Sequence, residues 1–198
     1  MLMGYPHLDA PFCTIARPDS GVGNVPGVFP LNRPLALTNL RAMSTPDGRV
    51  IKRLTIVDDA THEAVAIETE RAISGHGVVR VLERLALSRG LPKIIRSDNG
   101  KEFCGRTMTT WAHERGVLLR LIEPGKPNQN AYIERFNRTF RQEVLDQHLF
   151  TCLDDVREAA HWWMLEYNED RPHDSLGDLP PAEYRKHVAG NSTFEMSA

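Results

Sequence analysis

Apolar and polar positions alternate along this chain with two different periods. Arg49 to Asp58 is dense in β-branched residues and Glu63 to Glu68 continues in the same manner, so both are predicted strands. Leu35 to Ala42 is a third strand upstream. It is joined to the next through Ser44-Thr-Pro-Asp-Gly48, where Asp47-Gly48 is a strong hairpin signal. The period then lengthens. Val78, Leu82 and Leu85 share one face of a helix predicted from Gly75 to Ser88, with Gly90 as its stop. Behind Pro92, Lys93 to Ser97 is a short buried strand. Gly105 to Arg115 is a helix carrying Met108, Trp111 and Ala112 inward, Gly116 ends it, and Val117 to Ile122 is a fifth strand. After a loop from Glu123 to Asn130, the stripe Ile133, Phe136, Phe140 and Val144 marks a long helix from Ala131 to about His148. Val156, Ala160, Trp163 and Tyr167 mark another from about Asp154 to Asn168.

The order is a three-stranded meander, then helix, strand, helix, strand, helix, helix. That predicts an α/β class: a mixed five-stranded sheet of three antiparallel strands extended by two parallel strands, flanked by helices. The pattern suits an RNase-H-like fold. Residues 1–34 are rich in Pro and Gly and show no sustained period, so they read as a poorly ordered tail or linker. Residues 35–187 are the predicted core and 188–198 a flexible tail. With 198 residues and 41% hydrophobic content the chain can build one good core.

Charge changes this picture in one respect. The formal net charge is -2, so no global basic field draws the chain onto nucleic acid, and any such contact must rest on a local patch. Cys13, Cys104 and Cys152 show no CxxC pairing, which argues against a disulfide framework or a zinc site and fits a reducing compartment. No apolar run approaches the length of a membrane span, and the first residues lack a signal-peptide pattern. The expectation is a soluble cytoplasmic protein.

Two carboxylates sit where chemistry is expected. Asp98 follows the strand Lys93 to Ser97 in Arg-Ser-Asp-Asn-Gly, and a glycine there permits a sharp turn at the sheet edge. Glu134 lies near the start of the long helix, at the border of its apolar stripe. Ligands of open α/β sheets gather outside the strand ends, and a helix start beside that edge brings Glu134 toward Asp98. Carboxylates are natural holders of Mg²⁺, and two such ions roughly 3.5–4 Å apart serve phosphoryl transfer by activating the nucleophile and stabilising the leaving oxygen. At helical spacing Asn130, Glu134, Arg138 and Arg141 share one face. The amide is placed to position a nucleotide and the arginines to grip phosphates, with Lys126 in the preceding loop a further phosphate contact. The bland alternatives are a turn aspartate, a solvated glutamate, and arginines paired within their own helix.

Three segments then carry a specific resemblance: Ser97-Asp-Asn-Gly-Lys-Glu-Phe103, Pro124-Gly-Lys-Pro-Asn-Gln-Asn-Ala-Tyr-Ile-Glu-Arg-Phe-Asn137, and Tyr167-Asn-Glu-Asp-Arg-Pro-His173. Together they resemble bacterial insertion-sequence transposases of the retroviral-integrase type. The 35 residues between Asp98 and Glu134 match the spacing that names the family's Asp-Asp-35-Glu signature. The resemblance runs from about Gly48 to Tyr184. It implies that Asp98 is the second catalytic aspartate and Glu134 the glutamate, and that both bind metal. It also implies Mg²⁺ or Mn²⁺ in a two-ion site, and DNA (element ends and target) as partner of a homo-oligomer. The reaction implied is DNA integration by attack of a 3′-hydroxyl. Asn130 matches a family position that contacts DNA, and Arg141 a basic one.

The resemblance departs at one decisive place. The family's first aspartate falls, counting back from Asp47-Gly48, on Asn39 in Ala36-Leu-Thr-Asn-Leu40. The segment upstream does not resemble the family either, which points to a truncated, frameshifted or diverged element. Pairing about the Asp47-Gly48 turn puts Asn39 opposite a residue near Leu54. Asp58 is then four residues further on, about 13 Å away at roughly 3.3 Å per residue, too far to replace the missing ligand. The expectation is weakened metal binding and little or no strand transfer. Two other readings stay open: a non-catalytic nucleic-acid-binding or inhibitory derivative of a transposase, and a nuclease that cuts RNA in hybrids.

Overall fold

A computed structural model describes residues 34–44, 48–123 and 130–192. The predicted turn at Asp47 and the loop carrying Lys126 lie outside the described residues.

Five strands, β1 (Pro34–Ser44), β2 (Val50–Asp58), β3 (Ala64–Glu70), β4 (Ile94–Ser97) and β5 (Leu118–Leu121), form a sheet in the order β3-β2-β1-β4-β5. β1 pairs antiparallel with β2 and β2 antiparallel with β3, whereas β1–β4 and β4–β5 are parallel. The antiparallel strands follow one another directly. The parallel ones are reached through α1 (Gly75–Arg89) and through α2 (Lys101–Cys104) with α3 (Arg106–Arg115), as parallel pairing requires. Helix α4 (Ala131–Phe140), a π-helical turn (Arg141–Leu145), α5 (Leu153–Glu169) and α6 (Pro181–Ser192) complete the chain.

The sheet separates two cores. One gathers Val78, Leu82 and Leu85 of α1, Phe103, and Met108 and Trp111 of α3 against Leu35, Leu54, Ile56 and Ile95. The other gathers Ile133, Phe136 and Phe140 of α4, Val144, and Val156, Trp163 and Tyr167 of α5 against Ile51, Val57 and Ala64. β2 therefore serves both: Leu54 and Ile56 enter the first core, Ile51 and Val57 the second. A strand covered on both faces is buried on both, and from Arg53 to Asp58 every residue of β2 is buried, including the polar Arg53, Thr55 and Asp58.

Local signals account for the element ends. The Ser74 hydroxyl caps α1 by accepting from the Gly77 N–H at 3.3 Å, and Gly90, at φ 80°, closes it. Gly116 ends α3 at φ 67°. Among the described residues no helix is long and apolar enough to cross a membrane.

Three elements differ from the sequence-based expectation. The long helix predicted to about His148 is α-helical only to Phe140 and then widens into a π-helical turn ending at Leu145. The wider turn lets the neighbours Val144 and Leu145 both enter the core, which a regular 3.6-residue period would not favour. The four-residue α2 is too short to show a period. Finally, α6 extends order beyond the predicted boundary at 187. It starts at Pro181, a favoured first helical residue, but has no apolar stripe. Tertiary contact holds it instead: Arg185 pairs with Glu63 at 3.1 Å, and Glu63, 3% exposed at its side chain, also receives Arg89 at 2.7 Å.

Candidate functional site

Asp98 stands at the C-terminal end of β4, half-buried, and its Oδ1 accepts the Gly100 N–H at 3.0 Å. Asn99 Nδ2 donates to the Ile122 carbonyl at 3.1 Å, tying this turn to the end of β5. Gly100 has an ordinary φ of -58°. A Cβ there would sit 3.0 Å from Asp98 Oδ1 and 3.0 Å from Glu102 Cδ. Asp98 and Glu102 thus both border the space beside Gly100, where a Cβ would press on their carboxylate ends.

The register places Asn39. It pairs with Leu54 on β2, as counted from the hairpin. On the parallel side Leu37 pairs with Ser97, so Asn39 lies two residues past that pair and Asp98 one. Asn39, in the middle of β1, therefore lies close to level with Asp98 just past the end of β4. Asp58 pairs with Leu35, near the start of β1 and four residues before Asn39. It is buried and caps its own hairpin, accepting from the N–H groups of Ala60 at 2.8 Å and Thr61 at 3.1 Å. Asp59 is paired to Arg96 at 2.8 Å, and burial pushes its carboxyl above the usual range. Neither acid is available beside Asn39.

Glu134 lies in the first turn of α4, exposed, beside the buried Ile133 and Phe136. Two anchors on either side of it hold the helix. Tyr132 donates its hydroxyl to the His62 carbonyl at 2.9 Å, shares a 2.7 Å bond with the Tyr167 hydroxyl, and stacks on the His62 ring at 4.1 Å. His62 occupies the left-handed region at φ 59°, a strain held by these contacts. Burial depresses the basicity of His62 and of its neighbour His173 and pushes the Tyr132 hydroxyl well above the usual range. On the far side of Glu134, Asn137 Oδ1 accepts from Arg53 Nη2 at 2.8 Å and Thr55 Oγ1 at 2.9 Å.

The predicted basic face is only partly assembled. Glu134 and Arg138 are exposed, but Asn130 is 3% exposed and its Oδ1 has no hydrogen-bond partner among the described residues. Arg141 opens the π-helical turn and pairs with Asp146 at 3.4 Å, an exposed contact worth about 0–1 kcal/mol. The anchors were not found from sequence, although Arg53 was visible as a charge inside an apolar strand. Among the described residues no three or more His, Cys, Asp or Glu side chains form a group able to hold a metal ion.

Residues 41–127 match the integrase core domain family, and residues 115–181 match a second family with the same description. The chain is 50% identical over 144 residues to the uncharacterized 31.7 kDa protein of insertion element IS407 from Burkholderia multivorans, covering 72% of this chain and 52% of that protein. It is 47% identical over 150 residues to the uncharacterized 39.2 kDa protein of insertion element IS476 from Xanthomonas euvesicatoria, covering 74% of this chain and 43% of that protein. The chain thus spans about half the length of these relatives. In three dimensions it resembles the HTLV-2 integrase catalytic core domain, solved in complex with magnesium, with a TM-score of 0.60 at 14% identity over 80% of this chain and 98% of that one. With a sheet, two helical layers and a sequence that all agree, the chain belongs to the integrase core family, alongside proteins of bacterial insertion elements.

Proposed function

We propose that this chain is the catalytic core of a transposase for DNA integration, impaired because Asn39 stands where a carboxylate is required. The observation that carries the reading is the register of β1: Asn39, in mid-strand, falls within one residue of level with Asp98 at the end of the neighbouring parallel strand β4. Asp98 and Glu134 are the two remaining acids, offering hard oxygen donors of the kind Mg²⁺ or Mn²⁺ prefers. The donor set fits such a cation in kind and falls one charge short in number. A bound cation would supply charge neutralisation at the reacting phosphodiester. The chain's own share is to position: the Gly100 N–H holds the Asp98 carboxylate at the strand end, and the Tyr132 and Asn137 anchors set the helix that bears Glu134. Arg138, Arg141 and Lys126 are the proposed phosphate contacts, Asn130 acting only if its side chain leaves the interior. DNA, as element ends and target, is the partner, engaged by an oligomer of the chain.

The test is strand transfer with a labelled oligonucleotide of the element's own end, in Mg²⁺ and then Mn²⁺. The expected result is no product from the native chain, product from Asn39→Asp, and loss of it again when Glu134→Gln is added. Product from the native chain that Glu134→Gln abolishes would refute the impaired site. The second reading, a non-catalytic binding derivative, is favoured by the same Asn39. It predicts that the native chain retards end DNA on a gel while Asn39→Asp remains inactive.

A further inference from the structure

Arg53 sits in the middle of β2 and is 2% exposed. One nitrogen, Nη2, donates to Asn137, and the guanidinium carbon lies 4.4 Å over the Phe140 ring. Its other donors, Nε and Nη1, are buried and meet no acceptor among the described residues. Among the described residues no carboxylate pairs with it. Directly opposite on β3 is Thr69, 1% exposed, whose Oγ1 also has no partner. Opposed residues of an antiparallel pair leave the same face of the sheet with their Cβ atoms about 4.5–5.5 Å apart. Two cross-strand neighbours therefore present three buried, unsatisfied atoms, each able to donate a hydrogen bond.

Unsatisfied buried donors call for a water or an ion, and the local charge decides between them. Burial and the Arg141 charge lower the Arg53 guanidinium to about 10, so its surroundings disfavour the cation. Arg157 adds a third guanidinium nearby, its Nε donating to the Thr69 carbonyl at 3.2 Å, with its own charge answered by Glu70 and Asp154. A water would satisfy the donors and leave the buried charge unanswered. An anion does both. Because Arg53 and Thr69 are enclosed, a phosphate or a nucleic-acid backbone does not reach them.

We propose that Arg53 Nε and Nη1 and the Thr69 hydroxyl bind a small monovalent anion of chloride size beneath the helical layer of α4 and α5. The site is independent of the catalytic reading. It neutralises the buried charge that anchors α4.

Thermal unfolding tests it. The chain is melted in sodium chloride and in sodium methanesulfonate at equal ionic strength across a concentration series. Expected is a saturable rise of Tm in chloride alone, about 3–6 °C at ten times the dissociation constant. Arg53→Met and Thr69→Val should each abolish the difference between the two salts. Should Arg53→Met not fold, Thr69→Val decides by itself. Equal Tm values for the native chain in both salts would overturn the proposal and leave a water in the site. So would a chloride shift that survives in the variants.

Discussion

Asn137→Ala removes the acceptor that ties α4 to β2. Asn137 Oδ1 takes two hydrogen bonds, from Arg53 Nη2 at 2.8 Å and Thr55 Oγ1 at 2.9 Å, and all three residues are at most 6% exposed. A hydrogen bond from a charged group contributes about 1.5–3 kcal/mol and one from a neutral hydroxyl about 1 kcal/mol. Arg53 already lacks partners at Nε and Nη1, so losing Nη2 leaves the whole guanidinium without a side-chain acceptor. The expected loss is therefore about 3–4 kcal/mol, or about 8–14 °C in Tm for a chain of this size. Arg53→Met should behave differently. It removes the buried charge, leaves Asn137 the Thr55 hydroxyl, and keeps an apolar stem over Phe140, so its effect should be near zero or stabilising. The double variant should recover about 2 kcal/mol of the Asn137→Ala loss, because no charge is then stranded. Urea unfolding in sodium methanesulfonate without chloride, read by circular dichroism, measures all four corners of this cycle. A loss below about 1 kcal/mol for Asn137→Ala, or strict additivity with Arg53→Met, would refute the view that this contact anchors α4.

Two further outcomes follow from the same structure. His62 and His173 are both held below their ordinary basicity by burial. The unfolded chain therefore binds protons that the folded chain refuses, and stability falls as pH drops through about 6.5 toward the folded values, with no effect above it. Urea midpoints between pH 8 and 5 should show this slope, and replacing both histidines with glutamine should flatten it; an unchanged slope would contradict the burial argument. Gly116→Ala should lose about 1–2 kcal/mol through backbone strain alone, since Gly116 lies at φ +67° and a Cβ there meets nothing within 4 Å. Gly116→Asn should lose less, and equal losses would point to a cause other than the left-handed conformation.

Much of the architecture was legible because the apolar period changes where the elements change. The stripe Val78, Leu82 and Leu85 marks α1, and the β-branched run after Gly48 marks β2. Counting back from Asp47-Gly48 put Asn39 near Leu54, its partner in the structure, although a one-residue register shift between Arg41 and Met43 was not legible in the sequence. Helix α6 and the end of α4 were less legible. α6 has no stripe and rests on the Arg185–Glu63 pair, while the π-helical turn answers to core packing that no local pattern encodes. Asn130 shows the same limit in the candidate site. Its helical spacing from Glu134 is right, yet it is a buried N-cap residue where Glu134 is exposed, because the helix start is set by the surfaces it docks against.

Sequence alone determined the five strands, the four longer helices up to α5 and their order, the spacing of Asp98 and Glu134, and the absence of an aspartate at position 39. Those follow from residue identity and short-range periodicity. Only the tertiary structure decided which side chains are enclosed together: Asn137 with Arg53 and Thr55, Tyr132 with His62 and Tyr167, and Asp58 within its own hairpin. The Asn137 and Tyr132 contacts span 35 to 84 residues of chain. Their partners are chosen by the packing of α4 and α5 on the sheet, and a buried polar group takes whatever donor or acceptor that packing brings within reach.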